Sequence, residues 1–285
     1  MMGGKNMNLG IRLHDTAPGS LKERLSFARA QGFTCAHVAL SKVLPDFSMQ
    51  SAPEKLTEEF ARSVRQDFAD TGMSCAVLGC YLNLADPDET RRQKTQDIYR
   101  AHLHFAARIG AGVVGTETYA NPDSRFPEPA ARSEEAFRLF IEALKPVVRF
   151  AEEADAVLAV EPVYQHIIST PERALRMLEE VPSDHLQIIL DAVNLIGPDA
   201  VERKDEIIEN AIRLLGDRVR ILHLKDFVLE GEGKMRSCAC GLGSMRYERL
   251  LTFGDAKNLP MTLEDTVPDN AEQARLHLEA ITASL

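Results

Sequence analysis

Eight short runs of β-forming residues recur along the 285-residue chain, each followed by a stretch whose apolar residues repeat at helical spacing. This alternation limits the fold more than any other feature. The runs are Leu9 to Leu13, Ala36 to Leu40, Ser74 to Cys80, Val113 to Thr118, Ala156 to Pro162, Leu186 to Leu190, Val219 to Lys225 and Pro260 to Glu264. Stretches such as 156–160 and 186–190 are apolar nearly throughout, as strands are when both faces of a parallel sheet are covered. The intervening segments carry helix punctuation. Leu21, Leu25, Phe27 and Ala28 share a run that Gly32 ends, and two further runs stop at Gly72 and Gly110. Other helices are expected from Ser133 to Glu153, Thr170 to Glu180, Val201 to Leu215, Tyr247 to Phe253 and Asn270 to Ser284. Thr170 offers an N-cap hydroxyl ahead of Pro171 at the first helical position.

Eight strands alternating with helices can form an open doubly wound sheet or close on themselves. The open sheet announces a nucleotide site by a glycine-rich first turn, but here the first strand leads into His14, Asp15 and Thr16. Gly241 and Gly243 follow the seventh run in isolation and serve either a tight turn or a phosphate contact. The expected fold class is therefore α/β, a (β/α)8 TIM barrel in which residues 1–285 form one domain, since that fold takes ~250 residues. The last helix should lie beside the first. The segment Tyr119 to Arg132, rich in Pro, Ser and Asp, reads as an active-site loop rather than a domain boundary.

Composition narrows the function. A formal net charge of −10 gives no general attraction for phosphate backbones, so nucleic acid is not expected as a partner. No apolar stretch approaches the ~20 residues of a bilayer span, so no membrane association is expected. The start of the chain lacks the apolar core of a signal peptide, and cytoplasmic residence is the expectation. Cys35, Cys75, Cys80, Cys238 and Cys240 fit neither a disulfide framework nor the usual zinc spacing, and should be reduced and non-catalytic. A homodimer is expected, although no apolar stripe specifies its surface.

The mouth of a barrel at its C-terminal strand ends is where chemistry sits. Glu161 ends the fifth apolar run, with Pro162 stopping the ladder behind it, and Asp191 ends the sixth, with Asn194 three residues on. His223 lies in the seventh run and Glu264 in the eighth. Any one such acid could simply cap a helix or pair with a base. Four consecutive strands, however, bring three carboxylates and an imidazole to one space, where the acids would repel without a cation. Glu161, Asp191, His223 and Glu264 are thus expected to hold a divalent metal ion. Mostly oxygen ligation favours Mn or Mg, with Co, Fe or Zn possible. Lys225 points to the same side as His223, where it could hold a substrate oxygen or pair with Asp191 or Asp226. Further groups at strand ends are His14, Tyr81, Asn83, Glu117, Arg125, Tyr164 and His166.

The set formed by Glu161-Pro162, Asp191 with a polar residue three further on, the run His223-Leu224-Lys225-Asp226, the segment Gly241 to Tyr247 and Leu263-Glu264 resembles the xylose-isomerase-like TIM barrel superfamily of sugar phosphate isomerases and epimerases. The resemblance covers nearly the whole chain. It implies that Glu161, Asp191, His223 and Glu264 are the shared metal ligands, and that Glu161 and Glu264 can stand either side of a reacting carbon. Two departures separate this chain from a particular ketose epimerase. Asn194 stands where the family often has a substrate-binding histidine, and Phe227 to Glu230 lacks the arginine that such epimerases carry after the seventh strand.

The expected activity is isomerisation or epimerisation of a small carbohydrate-like carbonyl compound. Glu161, Glu264 and Lys225 are the catalytic candidates, and proton transfer occurs next to a metal-polarised carbonyl. An inosose-dehydratase-like lyase would use nearly the same residues. A non-catalytic sugar-binding barrel and an endonuclease IV-like phosphodiesterase are further readings; the latter is disfavoured by Asn194 and the negative charge.

Overall fold

The structure is a computed structural model that describes residues 7–118, 126 and 130–285, with residue 232 described by its backbone alone. Eight parallel strands close into a barrel: β1 (Leu9–Arg12), β2 (Cys35–Val38), β3 (Ser74–Gly79), β4 (Val113–Glu117), β5 (Leu158–Glu161), β6 (Leu186–Asp191), β7 (Val219–Leu224) and β10 (Met261–Leu263). Closure is made by β1, which pairs with β10 through Leu9↔Met261 and Ile11↔Leu263 and with β2 through Gly10↔Cys35 and Arg12↔His37. Between β7 and β10 lies a two-stranded antiparallel hairpin, β8 (Asp226–Leu229) and β9 (Met235–Cys238). All eight expected barrel strands form, but the hairpin was not foreseen. Its apolar run is only Phe227 to Leu229, and its glycine-rich tip resembles any polar loop.

The helices begin where their caps dictate. Ser20, Thr57, Asp88, Ser133 and Thr170 each accept the amide of the third residue beyond, satisfying a donor that the first turn leaves unpaired. Gly72 and Gly110 end theirs in the left-handed conformation at φ 64° and 71°. The run before Gly72 is divided into Ala52–Lys55 and Glu58–Thr71, because Thr57 starts a fresh helix. The stretch expected from Val201 opens as a 3-10 turn, Pro198–Arg203, before the α-helix Lys204–Leu215. The final helix, Ala271–Ala283, lies beside the first: Arg275 Nε donates to the carbonyl of Gln31 at 2.7 Å.

Apolar side chains pack in two shells. Phe33, Phe105, Phe137 and Phe140 are fully buried in the shell between strands and helices. A separate cluster of Cys35, Ala76, Val77, Val113, Ala159, Ile189 and Ile221, contributed by six strands, plugs the barrel interior. All five cysteines are free and buried. Among the described residues no helix is long and apolar enough to cross a membrane.

Candidate active site

Side chains alternate along a strand, so a residue two positions beyond an inward apolar one also points inward, but higher in the barrel. Ala159 is followed by Glu161, Ile189 by Asp191, Ile221 by His223 and then Lys225, and Cys35 by His37. Strand register sets these groups side by side: Asp191 is level with His223, Glu117 with Glu161, and Arg12 with His37. The mouth is thus a polar layer standing on the apolar plug.

The four expected ligands converge. His223 Nδ1 lies 3.1 Å from Glu161 Oε2 and 3.3 Å from Glu264 Oε1. Potential donor atoms of Glu161, Asp191 and His223 all lie within 4.8 Å of one another, as do those of His37, His223 and Glu264. These side chains are buried. His223 Nε2 is buried without a hydrogen-bond partner, and Nδ1 makes no well-aligned hydrogen bond despite its closeness to the acids. An imidazole pressed among carboxylate oxygens in this way fits a shared divalent cation, which needs lone pairs rather than N–H donors.

The protein also brings its own cations to the acids. Lys225 Nζ is 2.9 Å from Asp191 Oδ2 and 3.5 Å from Glu264 Oε2, and Arg12 Nη1 is 3.3 Å from Glu264 Oε2. Repulsion among three carboxylates therefore does not by itself require a metal. The case for the ion rests on the donor set. Burial would lower the basicity of His223, yet Glu264 and Glu161 outweigh it and push its pKa up to about 9. Burial would raise Glu264, but His223, Lys225, His37 and Arg12 hold it well below the usual carboxylate range. Glu161 is also held down, chiefly by His223 against its own burial. Asp191 is pushed up to about 6 by burial, against the pull of Lys225.

Two mouth residues were missed in the sequence. Arg12 was absorbed into the first strand; its guanidinium reaches Asp15 at 3.1 Å and Asp265 at 2.7 Å as well as Glu264. His37, buried in Cys-Ala-His-Val, has Nδ1 3.3 Å from Glu264 Oε1 and Nε2 3.2 Å from the Tyr81 hydroxyl, and its ring stacks on His223 with centroids 5.2 Å apart. Gly79 makes this possible, since a Cβ there would fall 2.8 Å from the Tyr81 ring and 3.1 Å from His37 Nε2.

The remaining strand-end residues divide. Glu117 is pushed up to about 8 by burial and by Glu161, and lies 3.5 Å from His166 Nδ1 at the rim. His14 sits in the 3-10 turn after β1, where burial lowers its pKa to about 4. Asn83 is local, accepting the amide of Ala85. Tyr164 packs against Gly197, and its amide donates to the Asn194 carbonyl. Arg125 and most of the 119–132 loop lie outside the described residues.

Of the two partners considered for Lys225, Asp191 is the one engaged. Asp226 faces the other way and accepts the amides of Phe227, Gly241 and Met245 at 2.9, 3.1 and 2.8 Å. Of the two roles weighed for the glycines, the observed contacts are those of a tight turn. Gly241 has φ 86° and its amide is committed to Asp226, while a Cβ at Gly243 would stand 2.1 Å from the Phe227 carbonyl.

Eight parallel strands with a buried carboxylate–imidazole cluster at their C-terminal ends define a (β/α)8 barrel with a polar mouth. Residues 25–281 match the sequence pattern of the xylose isomerase-like TIM barrel, and the chain belongs to that family. A D-psicose 3-epimerase from Enterocloster bolteae is 27% identical over 145 residues, a match that spans 46% of each protein, so the chain aligns with about half of that relative's length. Among solved structures, the E. coli 3-keto-D-glucoside 4-epimerase superposes with a TM-score of 0.75 over 96% of this chain and 100% of that one, at 17% identity. The IolI protein, solved with a bound zinc atom, gives 0.71 over 98% and 97%, also at 17%. These two likenesses are of fold.

Proposed function

We propose that this protein is a divalent-metal-dependent epimerase or isomerase of a small, sugar-like polyhydroxy carbonyl compound. The observation that carries this reading is the approach of Glu161 and Glu264, from strands on different sides of His223, to within 3.3 Å of the same imidazole nitrogen. The sugar epimerase named above is its support among relatives.

Glu161, Asp191, His223 and Glu264 would hold the ion, and their oxygen-rich set favours Mn or Mg. A bound divalent ion would polarise a carbonyl and stabilise charge on its oxygen. One glutamate takes the proton from the carbon beside the carbonyl. The C–H electron pair becomes the carbon–carbon double bond of an enediolate as the carbonyl π pair moves to oxygen. To invert the centre the other glutamate must enter this step carrying a proton taken up from solvent, against the pull of His223 and Lys225 that keeps it ionised at rest, and give it to the opposite face; return of the abstracted proton to the neighbouring carbon, with the hydroxyl proton moving to the first oxygen, interchanges aldose and ketose. The ammonium of Lys225, placed between Asp191 and Glu264, orients a substrate oxygen.

The test is incubation of metal-loaded protein with ketoses, aldoses and inososes in deuterated water, read by NMR. Deuterium beside the carbonyl, lost in Glu161→Gln and Glu264→Gln variants that still bind metal, supports the reading. A dehydrated product would replace it with a lyase, and binding without turnover across the panel would leave a sugar-binding barrel.

A further inference from the structure

The two oxygens of Glu161 meet different neighbours, one toward the centre of the mouth and one away from it. Oε2 faces His223 Nδ1 at 3.1 Å. Oε1 is met from the other side by Asn194 Nδ2 at 2.6 Å. A carboxylate ion only accepts hydrogen bonds, so the amide must present its NH2 end here.

Asn194 is itself held on three sides. It lies in the single turn Ala192–Leu195 that starts directly at the end of β6, and Asp191 Oδ1 accepts its backbone amide at 3.0 Å. Its carbonyl accepts the amide of Tyr164 at 2.7 Å, tying this turn to the segment that follows β5. The residue therefore spans the ends of two neighbouring strands and touches the side chains of two mouth acids. Its amide does not itself titrate, so it adds no charge to the mouth.

We infer that Asn194 is a positioning residue that fixes the carboxylate plane of Glu161, an inference that rests on the acid/base role proposed above. It acts through the Glu161 carboxylate, whose Oε1 its side chain meets at 2.6 Å. A group in this position typically contributes about 10- to 100-fold. Asn194→Ala should lower kcat for deuterium incorporation by that factor while KM stays within about threefold. Asn194→Asp, which has the same shape but sets an acceptor and a charge against Glu161, should lose more than Asn194→Ala.

A second readout does not depend on turnover. In metal-free protein labelled with 15N-asparagine, the Asn194 side-chain protons should be slow to exchange and markedly inequivalent, and Glu161→Ala should abolish both properties. The inference is overturned if folded Asn194→Ala keeps kcat within twofold, if its loss is entirely in KM, or if the amide signal ignores Glu161→Ala. Should the wild type turn over nothing in the panel, the functional reading fails, and the amide signal alone then decides whether Asn194 holds Glu161.

Discussion

The ammonium of Lys225 lies 2.9 Å from Asp191 Oδ2, with the lysine side chain 7% exposed and the aspartate fully buried. Breaking a buried pair by removing one partner costs about 3–5 kcal/mol, because the other charge is left uncompensated. Lys225→Met should therefore destabilise the metal-free protein by about that much. A divalent ion would take over the neutralising role, so manganese should raise the stability of the variant more than that of the wild type. Urea denaturation with and without the ion measures both gains, and equal gains would reject the idea.

Each of Glu161→Ala, Asp191→Ala, His223→Ala and Glu264→Ala should reduce bound metal by at least about tenfold. Elemental analysis of protein purified without chelators provides the count. Unchanged metal content in all four would end the assignment.

His102 is buried in the helix Glu89–Ile109, with Nδ1 2.9 Å from the Ile98 carbonyl and its ring edge-on to Phe47. Burial lowers its pKa from 6.5 to about 4. The unfolded chain therefore takes up this proton first as pH falls, so the contribution of neutral His102 is complete above 6.5 and is lost between 6.5 and about 4. At pH 5 the loss is roughly 2 kcal/mol relative to pH 8. The pH dependence of unfolding free energy should be shallower by that amount in His102→Gln; parallel curves for the two proteins would contradict the account.

Asp226→Ala leaves three backbone donors without their acceptor, one buried and two partly buried, at a cost of about 2–4 kcal/mol. The damage should be local to the hairpin and the 239–245 turn, with metal content unaffected. Limited proteolysis should show new cleavage there, and a loss of metal would instead place Asp226 in the ligand set.

A thiol reagent should find five groups in denaturant and react far more slowly with the native protein, where every cysteine is buried and burial alone pushes the Cys35 thiol up to about 12. Rapid reaction of any one native thiol would show an opening that the fold does not contain.

The barrel, and the gathering of Glu161, Asp191, His223 and Glu264 at its mouth, were legible because each of these polar residues interrupts or ends an apolar run. Arg12 and His37 were not, for two different reasons. Arg12 owes its meaning to Glu264 and Asp265, more than 250 positions away, which reach it only when β10 closes against β1. His37 is flanked by Ala36 and Val38, so its surroundings read as core, and indeed it is 2% exposed. Asn194 departs from the family pattern in the sequence, but nothing local there indicates that its amide points back at Glu161.

Because plug and mouth share the same alternate positions on each strand, they can change only together. Inserting one residue between Ile221 and His223 would turn His223 and Lys225 outward toward the helices and swing the apolar Leu224 into the mouth. Length variation is tolerable only beyond the strand ends, and the hairpin Asp226–Cys238 already occupies such a place. A loop hung beyond the strand ends can therefore change its length without disturbing the layer of polar side chains beneath it, whereas the strands that carry that layer cannot.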